Sequence, residues 1–432
     1  MAQWRTDSYE FKQPHNVHLY EMMMLADIYG NPINGSNPTG MAVDAFGRAR
    51  MSQPYTLFDS FNRFGADSKM LVANSASGAI VSHNANASTV ECQVDTTSGS
   101  YAYRESSRVF AYQPGKSLQI LTTFVMAPPK TGLRQRTGYF DVQNGIFLEQ
   151  DGTTINFVRR SYSSGAVVET KVAQADWNKD PLNGNGPSRK TLDLTKAQIL
   201  FIDIEWLGVG TVRCGFVIDG VFIHCHSFQH ANIVSTTYMT TACLPVRSEI
   251  ENTGATASSS TMKNICCTVI SEGGYELSGK SYAIGHPITN AYSMTSANTL
   301  YPLIGIRLKS TRLNAIVDPK TFSVAVGAAS NYRYAILTKA TISGGSWVSA
   351  GANSAVEYNL TGTSVSGGDT VDYSYIIASN QTAAAPQNAE TPFKYQLERN
   401  SFSNTSYEFV IAIISSGNNN TAWGSIQWEE IT

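Results

Sequence analysis

Residues 138–161, GYFDVQNGIFLEQDGTTINFVRRS, hold two Asn/Asp-Gly pairs, Asn144-Gly145 and Asp151-Gly152, each set between short runs of strand-forming residues. Such a pair is the strongest local hairpin signal, because both central residues of a tight hairpin turn take positive φ, which Asn, Asp and Gly tolerate. The stretch predicts a three-stranded antiparallel meander over residues 138–160.

The same rhythm extends outward. QILFIDIEWLG (198–208) alternates, with Leu200, Ile202, Ile204 and Trp206 on one face. TVRCGFVIDGVFIHCHSF (211–228) reads as a hairpin closed at Asp219-Gly220. Between these strands and the meander, DWNKDPLNGNGPSRK (176–190) is too rich in Pro, Gly and Asn to be anything but a long loop. Helical periodicity is nearly absent, and after residue 290 short strands resume in LIGIRLKS, TFSVAVGAAS, YRYAILTKATI, TVDYSYIIAS and YEFVIAIIS.

The expected fold is all-β: tandem β-sandwich domains preceded by an extended arm. The arm covers 1–50 and serves assembly or anchoring, a first sandwich covers 51–272, a glycine-rich linker covers 273–290, and a second sandwich covers 291–432. SNQTAAAPQNAETP (379–392) reads as an exposed loop within the second sandwich.

Charged residues make up 15% of the 432, against about 25% in an average soluble chain. The formal net charge is −2 and no block of like charge occurs, which argues against nucleic acid or an anionic membrane as a partner. No run approaches the apolar length of a membrane helix, so no membrane insertion is expected. The six cysteines include no C-x-x-C spacing, so reduced, mostly buried thiols are expected.

His224, Cys225 and His226 crowd the second strand of the 211–228 hairpin, and His230 follows just beyond it. Counting outward from a two-residue turn at Asp219-Gly220 sets Gly215 opposite His224, Cys214 opposite Cys225, and Arg213 opposite His226. That register turns Cys225 away from the histidines and sets a fixed positive charge beside His226. His230 lies about 13 Å further along an extended strand. The expectation is no metal and no cofactor. The HxH pair is similar to that of the cupins, but His230 or Ala231 stands where that family carries a glutamate.

FIDIEWLG (201–208) resembles the catalytic strand of the lichenase and laminarinase family of glycoside hydrolases. By that resemblance Glu205 falls on the general acid/base and Asp203 on the helper carboxylate, while Phe201 occupies the nucleophile position. A retaining mechanism needs a second carboxylate there, so no catalytic residue is assigned and the chain is expected not to be an enzyme. The resemblance implies a concanavalin-like jelly roll, a fold also suited to lectins. No G-x-S-x-G elbow, G-K-[ST] loop or H-E-x-x-H motif is present. Trp177 and Tyr139 are candidates for stacking on sugars, with no ligand-binding residue assigned beyond them.

Five further segments, DAFGRARMSQPYTLFDS (44–60), YQPGKS (112–117), RTGYFDVQNGIFLEQDGT (136–153), LDLTKAQILFIDIEWLGVGTVRCGFVIDG (192–220) and LPVRSEI (244–250), together resemble a group of virion structural proteins of tailed phages, especially marine ones. The resemblance implies a non-enzymatic fibre, spike or capsid-decoration subunit, made in the host cytoplasm and located in the virion. Its expected partners are itself, as a homo-oligomer and most simply a trimer, and other virion proteins of the capsid or tail. The alternative is a carbohydrate-binding receptor adhesin at the tail that takes a host surface glycan; a glycan-degrading enzyme ranks last.

Overall fold

Alternating apolar and polar positions give the first sandwich fifteen strands: β1 (Tyr55–Phe61), β2 (Leu71–Ala76), β3 (Ile80–Asn84), β4 (Thr89–Val94), β5 (Tyr101–Ser106), β6 (Leu118–Val125), β7 (Leu133–Phe140), β8 (Gly145–Asp151), β9 (Thr154–Ser161), β10 (Val168–Ala173), β11 (Gln198–Ile204), β12 (Val212–Ile218), β13 (Val221–Phe228), β14 (Val246–Asn252) and β15 (Ser260–Ser271). The computed structural model describes residues 53–275, 279–378, 395–400 and 403–431, together with the backbone of 387–389. The arm expected over 1–50 lies outside the described residues, as does most of the 379–392 loop.

One sheet runs β13-β12-β11-β6-β15-β4-β3, with β1 also paired to β15; the other runs β10-β9-β8-β7-β14-β5-β2. The chain crosses repeatedly between layers, from β4 to β5 to β6 to β7 and again from β13 to β14 to β15, which makes the sandwich a jelly roll. Leu118, Ile120 and Phe124 of β6, with Leu200, Ile202 and Ile204 of β11, face Tyr139, Ile146, Leu148 and Phe157 of the opposite sheet. Burial of each such side chain contributes about 1.5–3 kcal/mol, and the period of two places them all on the inner faces.

The expected meander is present as β7, β8 and β9, but neither turn is the two-residue Asn/Asp-Gly type. Phe140 pairs with Gly145, which leaves residues 141–144 as the first loop, and Asp151 pairs with Thr154 around Gly152-Thr153. The Asp141 carboxylate sets the longer loop by accepting the N–H groups of Gln143 and Asn144, each at 2.7 Å. Asn144 is spent on tying that loop down, since its Oδ1 accepts the Thr240 and Tyr162 N–H groups. Asp219-Gly220, by contrast, is the tight turn expected, with φ of 54° and 76° and Ile218 paired to Val221.

The second sandwich stacks a sheet centred on Asn420–Ile431 against one formed by Leu300–Leu308, Glu408–Ser415, Asn331–Ser343 and the edge strand Ser364–Ile377. Trp428, Tyr332, Phe322, Leu303, Ile411 and Ile413 fill its core. The strand Lys280–Gly285 falls inside the 273–290 segment read as a linker and pairs with Asn420–Ile431. Its glycines mask a strand whose Tyr282 and Ile284 pack on the second core.

Val109 and Ala111 of the first sandwich pack with Ile316 of the second. Polar bonds flank that contact. Lys339 Nζ donates to the Lys69 carbonyl at 2.8 Å, Gln396 Nε2 to the Val109 carbonyl at 3.0 Å, and the Arg399 N–H to the Ser107 carbonyl at 2.9 Å.

Candidate functional site

A β-bulge reshapes the histidine strand. Gly215 opposes His224 as counted, but the register then slips, so Cys214 opposes His226 and Arg213 opposes Ser227. The expected pairs Cys214–Cys225 and Arg213–His226 are therefore not formed. An extra residue in one strand puts two consecutive side chains on the same side, and here Cys225 and His226 both join the inner face. His226 packs 4.6 Å from the Phe228 ring and 6.5 Å from Phe157, and its Nδ1 accepts the Asn178 N–H at 3.3 Å.

His224 stays on the outer face, with its Nε2 2.9 Å from Ser227 Oγ. His230 stacks flat on Tyr238 at 3.8 Å, with Nδ1 2.6 Å from the Gly210 carbonyl. The three rings thus occupy three separate settings. Burial lowers the pKa of each, that of His226 to about 4, with His224 adding to the shift at His226. Among the described residues no group of three or more His, Cys, Asp or Glu is arranged to hold a metal ion.

Phe201 and Asp203 share the outer face of β11, opposite the buried Leu200, Ile202 and Ile204. Phe201 packs edge-on against Phe222 at 5.2 Å. Burial pushes the Asp203 carboxyl up to about 6 against the pull of Arg213, with which it forms an ion pair. Glu205 lies beyond the end of the strand and is exposed. The three positions matched to the glycosidase strand therefore bring a single bonded carboxylate and an aromatic ring onto the sheet. Trp177 and Tyr139 are both core residues: Trp177 packs on Phe157 at 4.4 Å, and the Tyr139 hydroxyl donates to the Ala242 carbonyl at 2.8 Å.

A cluster of buried charge lies elsewhere, on the outer face of the seven-stranded sheet. Arg136 Nε donates to Glu149 at 2.8 Å and its Nη1 to Glu249 at 3.0 Å. Lys171 Nζ reaches Glu149 at 2.6 Å, Arg160 Nη2 reaches Glu169 at 2.7 Å, and Arg247 bonds both Glu249 and Glu105. The guanidinium of Arg160 lies 4.9 Å over the Phe147 ring and that of Arg247 4.5 Å over Tyr103. Burial alone would raise the Glu249 carboxyl, but Arg247 and Arg136 outweigh it and hold the pKa at about 2. Each of these carboxylates is bonded to at least one cation. These residues alternate along β7 and β14, and RQR (134–136) and RSEIE (247–251) are the one sequence signal that marks them in a charge-poor chain.

A cleft of about 810 Å³ opens where the two sandwiches meet. The 141–144 loop, Tyr112, Trp206 and the 240–243 segment wall it on one side, and residues 310–315 with Arg399 on the other. Tyr112 and Trp206 meet edge-to-face at 5.8 Å. No local stretch of sequence signals this cleft, since its walls come from loops scattered over most of the chain.

No family model and no curated protein sequence matches the chain. Solved structures similar to it include the endo-β-1,4-glucuronan lyase of the fungus Trichoderma reesei, at 12% identity over 50% of this chain and 95% of that one, with a TM-score of 0.35. A β-glucanase of Bacillus licheniformis is similar at 11% identity over 51% and 98% of the two chains, with a TM-score of 0.32. Peanut lectin is similar at 11% identity over the same shares, with a TM-score of 0.30.

Proposed function

We propose that the chain is a non-enzymatic structural subunit of a phage particle that assembles with copies of itself through its β-sandwiches. The observation that carries this reading is the edge strand Ser364–Ile377, where Tyr373, Tyr375 and Ile377 share one face and are 57%, 62% and 81% exposed. An edge strand presents unpaired backbone groups, and with a row of large apolar side chains it is a template for a neighbouring chain. The self-neutralised charges on β7, β8, β9 and β14 support the non-catalytic part of the reading.

Light scattering on the purified chain tests it: a homo-oligomer, most simply a trimer, is expected at micromolar concentration. Tyr373→Lys with Tyr375→Lys should shift it to monomer without lowering the melting temperature. A wild-type monomer that is also missing from the proteins of purified particles would overturn the proposal.

A second reading, a carbohydrate-binding adhesin at the tail, is favoured by the cleft between the sandwiches, where the Tyr112–Trp206 pair meets the hydroxyl-bearing Thr240, Thr241, Ser310 and Thr311. Aromatic faces and hydroxyls together suit a saccharide.

A further inference from the structure

We infer that the cleft between the two sandwiches binds an acidic saccharide, with Arg399 receiving its carboxylate; the inference rests on the adhesin reading and deepens it. Arg399 forms part of the cleft wall, and its side chain is 6% exposed. Neither its Nε nor its Nη2 has a hydrogen-bond acceptor. These two atoms carry the parallel N–H groups on one edge of the guanidinium, the pair that grips a carboxylate with two bonds.

The nearest carboxylate does not fill that role. Asp141 Oδ2 stands 4.0 Å from Arg399 Nη2, beyond hydrogen-bond reach, and accepts instead from Asn314 Nδ2 at 3.3 Å. The other oxygen of Asp141 is committed to the Gln143 and Asn144 N–H groups. A buried donor without an acceptor is costly to leave unmade, so two on one guanidinium, sealed just beneath the wall of the cleft, are a site that a ligand oxyanion would complete once the side chain turns into it. Arg312 also lines the cleft, so its charged lining of Arg312, Arg399 and Asp141 is net positive and favours an anion.

The rest of the lining decides between anions. Trp206 lines the same cleft with its indole N–H unpartnered, held edge-to-face by Tyr112. A phosphate or sulfate ion has no apolar face for such a wall, whereas a pyranose ring offers C–H groups to the aromatic pair and hydroxyls to the exposed threonines. A saccharide with a ring carboxylate, a hexuronic acid, satisfies both halves of the cleft.

Calorimetric titration of the full chain with a tetrasaccharide of glucuronic acid, a neutral glucose tetrasaccharide and inorganic phosphate tests the assignment. The acidic tetrasaccharide should bind at least tenfold more tightly than the other two. Arg399→Lys, which keeps the charge and loses the paired donors, should weaken it at least tenfold, and Thr311→Trp, at an exposed position in the wall, should abolish it by filling the cleft with the melting temperature unchanged. Equal binding of acidic and neutral sugars, or binding indifferent to both substitutions, overturns this inference and leaves the adhesin reading standing. Binding of phosphate alone overturns both, as does the absence of any binding.

Discussion

Arg136 stands between Glu149 and Glu249 and donates to both, at 2.8 and 3.0 Å, which joins β8 to β14 across β7 through one guanidinium. Both carboxylates are buried. Removing one partner of a buried ion pair costs about 3–5 kcal/mol, because a charge is left uncompensated. Arg136→Met should destabilise by that order in urea unfolding. The double variant Arg136→Met with Glu149→Gln should recover part of the loss, and strict additivity of the two single changes would show that the residues act separately.

Acid should weaken the fold in two successive, slightly overlapping windows. His226 has its pKa depressed to about 4 by burial, below the unfolded value, so the folded state resists the proton and stability falls as pH drops from about 6.5 to 4. Glu249, held at about 2, contributes stability above the ordinary carboxylate pKa that is lost as pH falls from about 4.5 toward 2. Asp203, raised to about 6, runs the other way and offsets part of the first window. Melting temperatures across this range should show His226→Gln flattening the upper window and leaving the lower one intact.

Gly215 faces the Phe201 ring across the β11–β12 pair, and a Cβ there would lie 2.1 Å from the Ile223 carbonyl oxygen and 2.6 Å from the ring. Backbone cannot yield as a side-chain tip can. Gly215→Ala should cost about 1–3 kcal/mol through overpacking, with Phe201→Leu as a second change restoring part of it. An unaltered urea midpoint for the single variant would mean that the sheet relaxes there freely.

Since His224, His226 and His230 sit in three different settings, no zinc should be held through them. Dialysis against a chelator is expected to leave the melting temperature unchanged. One zinc per chain by elemental analysis, lost in His224→Ala, would refute this.

What was legible in the sequence was periodic or strictly local. The alternation of Leu200, Ile202 and Ile204 identified a strand with one buried face, and Asp219-Gly220 identified a turn, because each depends on neighbours in the chain. The bulge beside Cys225 was not legible. It is set by what lies beneath the strand: His226 packs inward against Phe157 and Phe228, and no residue of the hairpin itself announces that. The Asn144-Gly145 signal misled for a related reason, since the Asp141 carboxylate captures two backbone N–H groups and favours a longer loop. The charges joined by Arg136 are scattered over β5 to β14, so their pairing emerges from strand order alone.

The connection between the sandwiches also fixes how the protein would bear tension. Tyr55, at the start of β1, pairs with Ser271 at the end of β15, while Lys280 pairs with Glu430 near the end of the last strand. A pull entering at Tyr55 and leaving at Ile431 is therefore handed across between Ser271 and Lys280, and it loads each ladder at one end, Tyr55 against Ser271 and Lys280 against Glu430, so that β1 and the last strand peel away pair by pair. The far ends of both sandwiches stay outside that line of force. A single-molecule pulling trace should accordingly show β1 and the last strand peeling away first at low force, with the meander yielding only after one of them has detached.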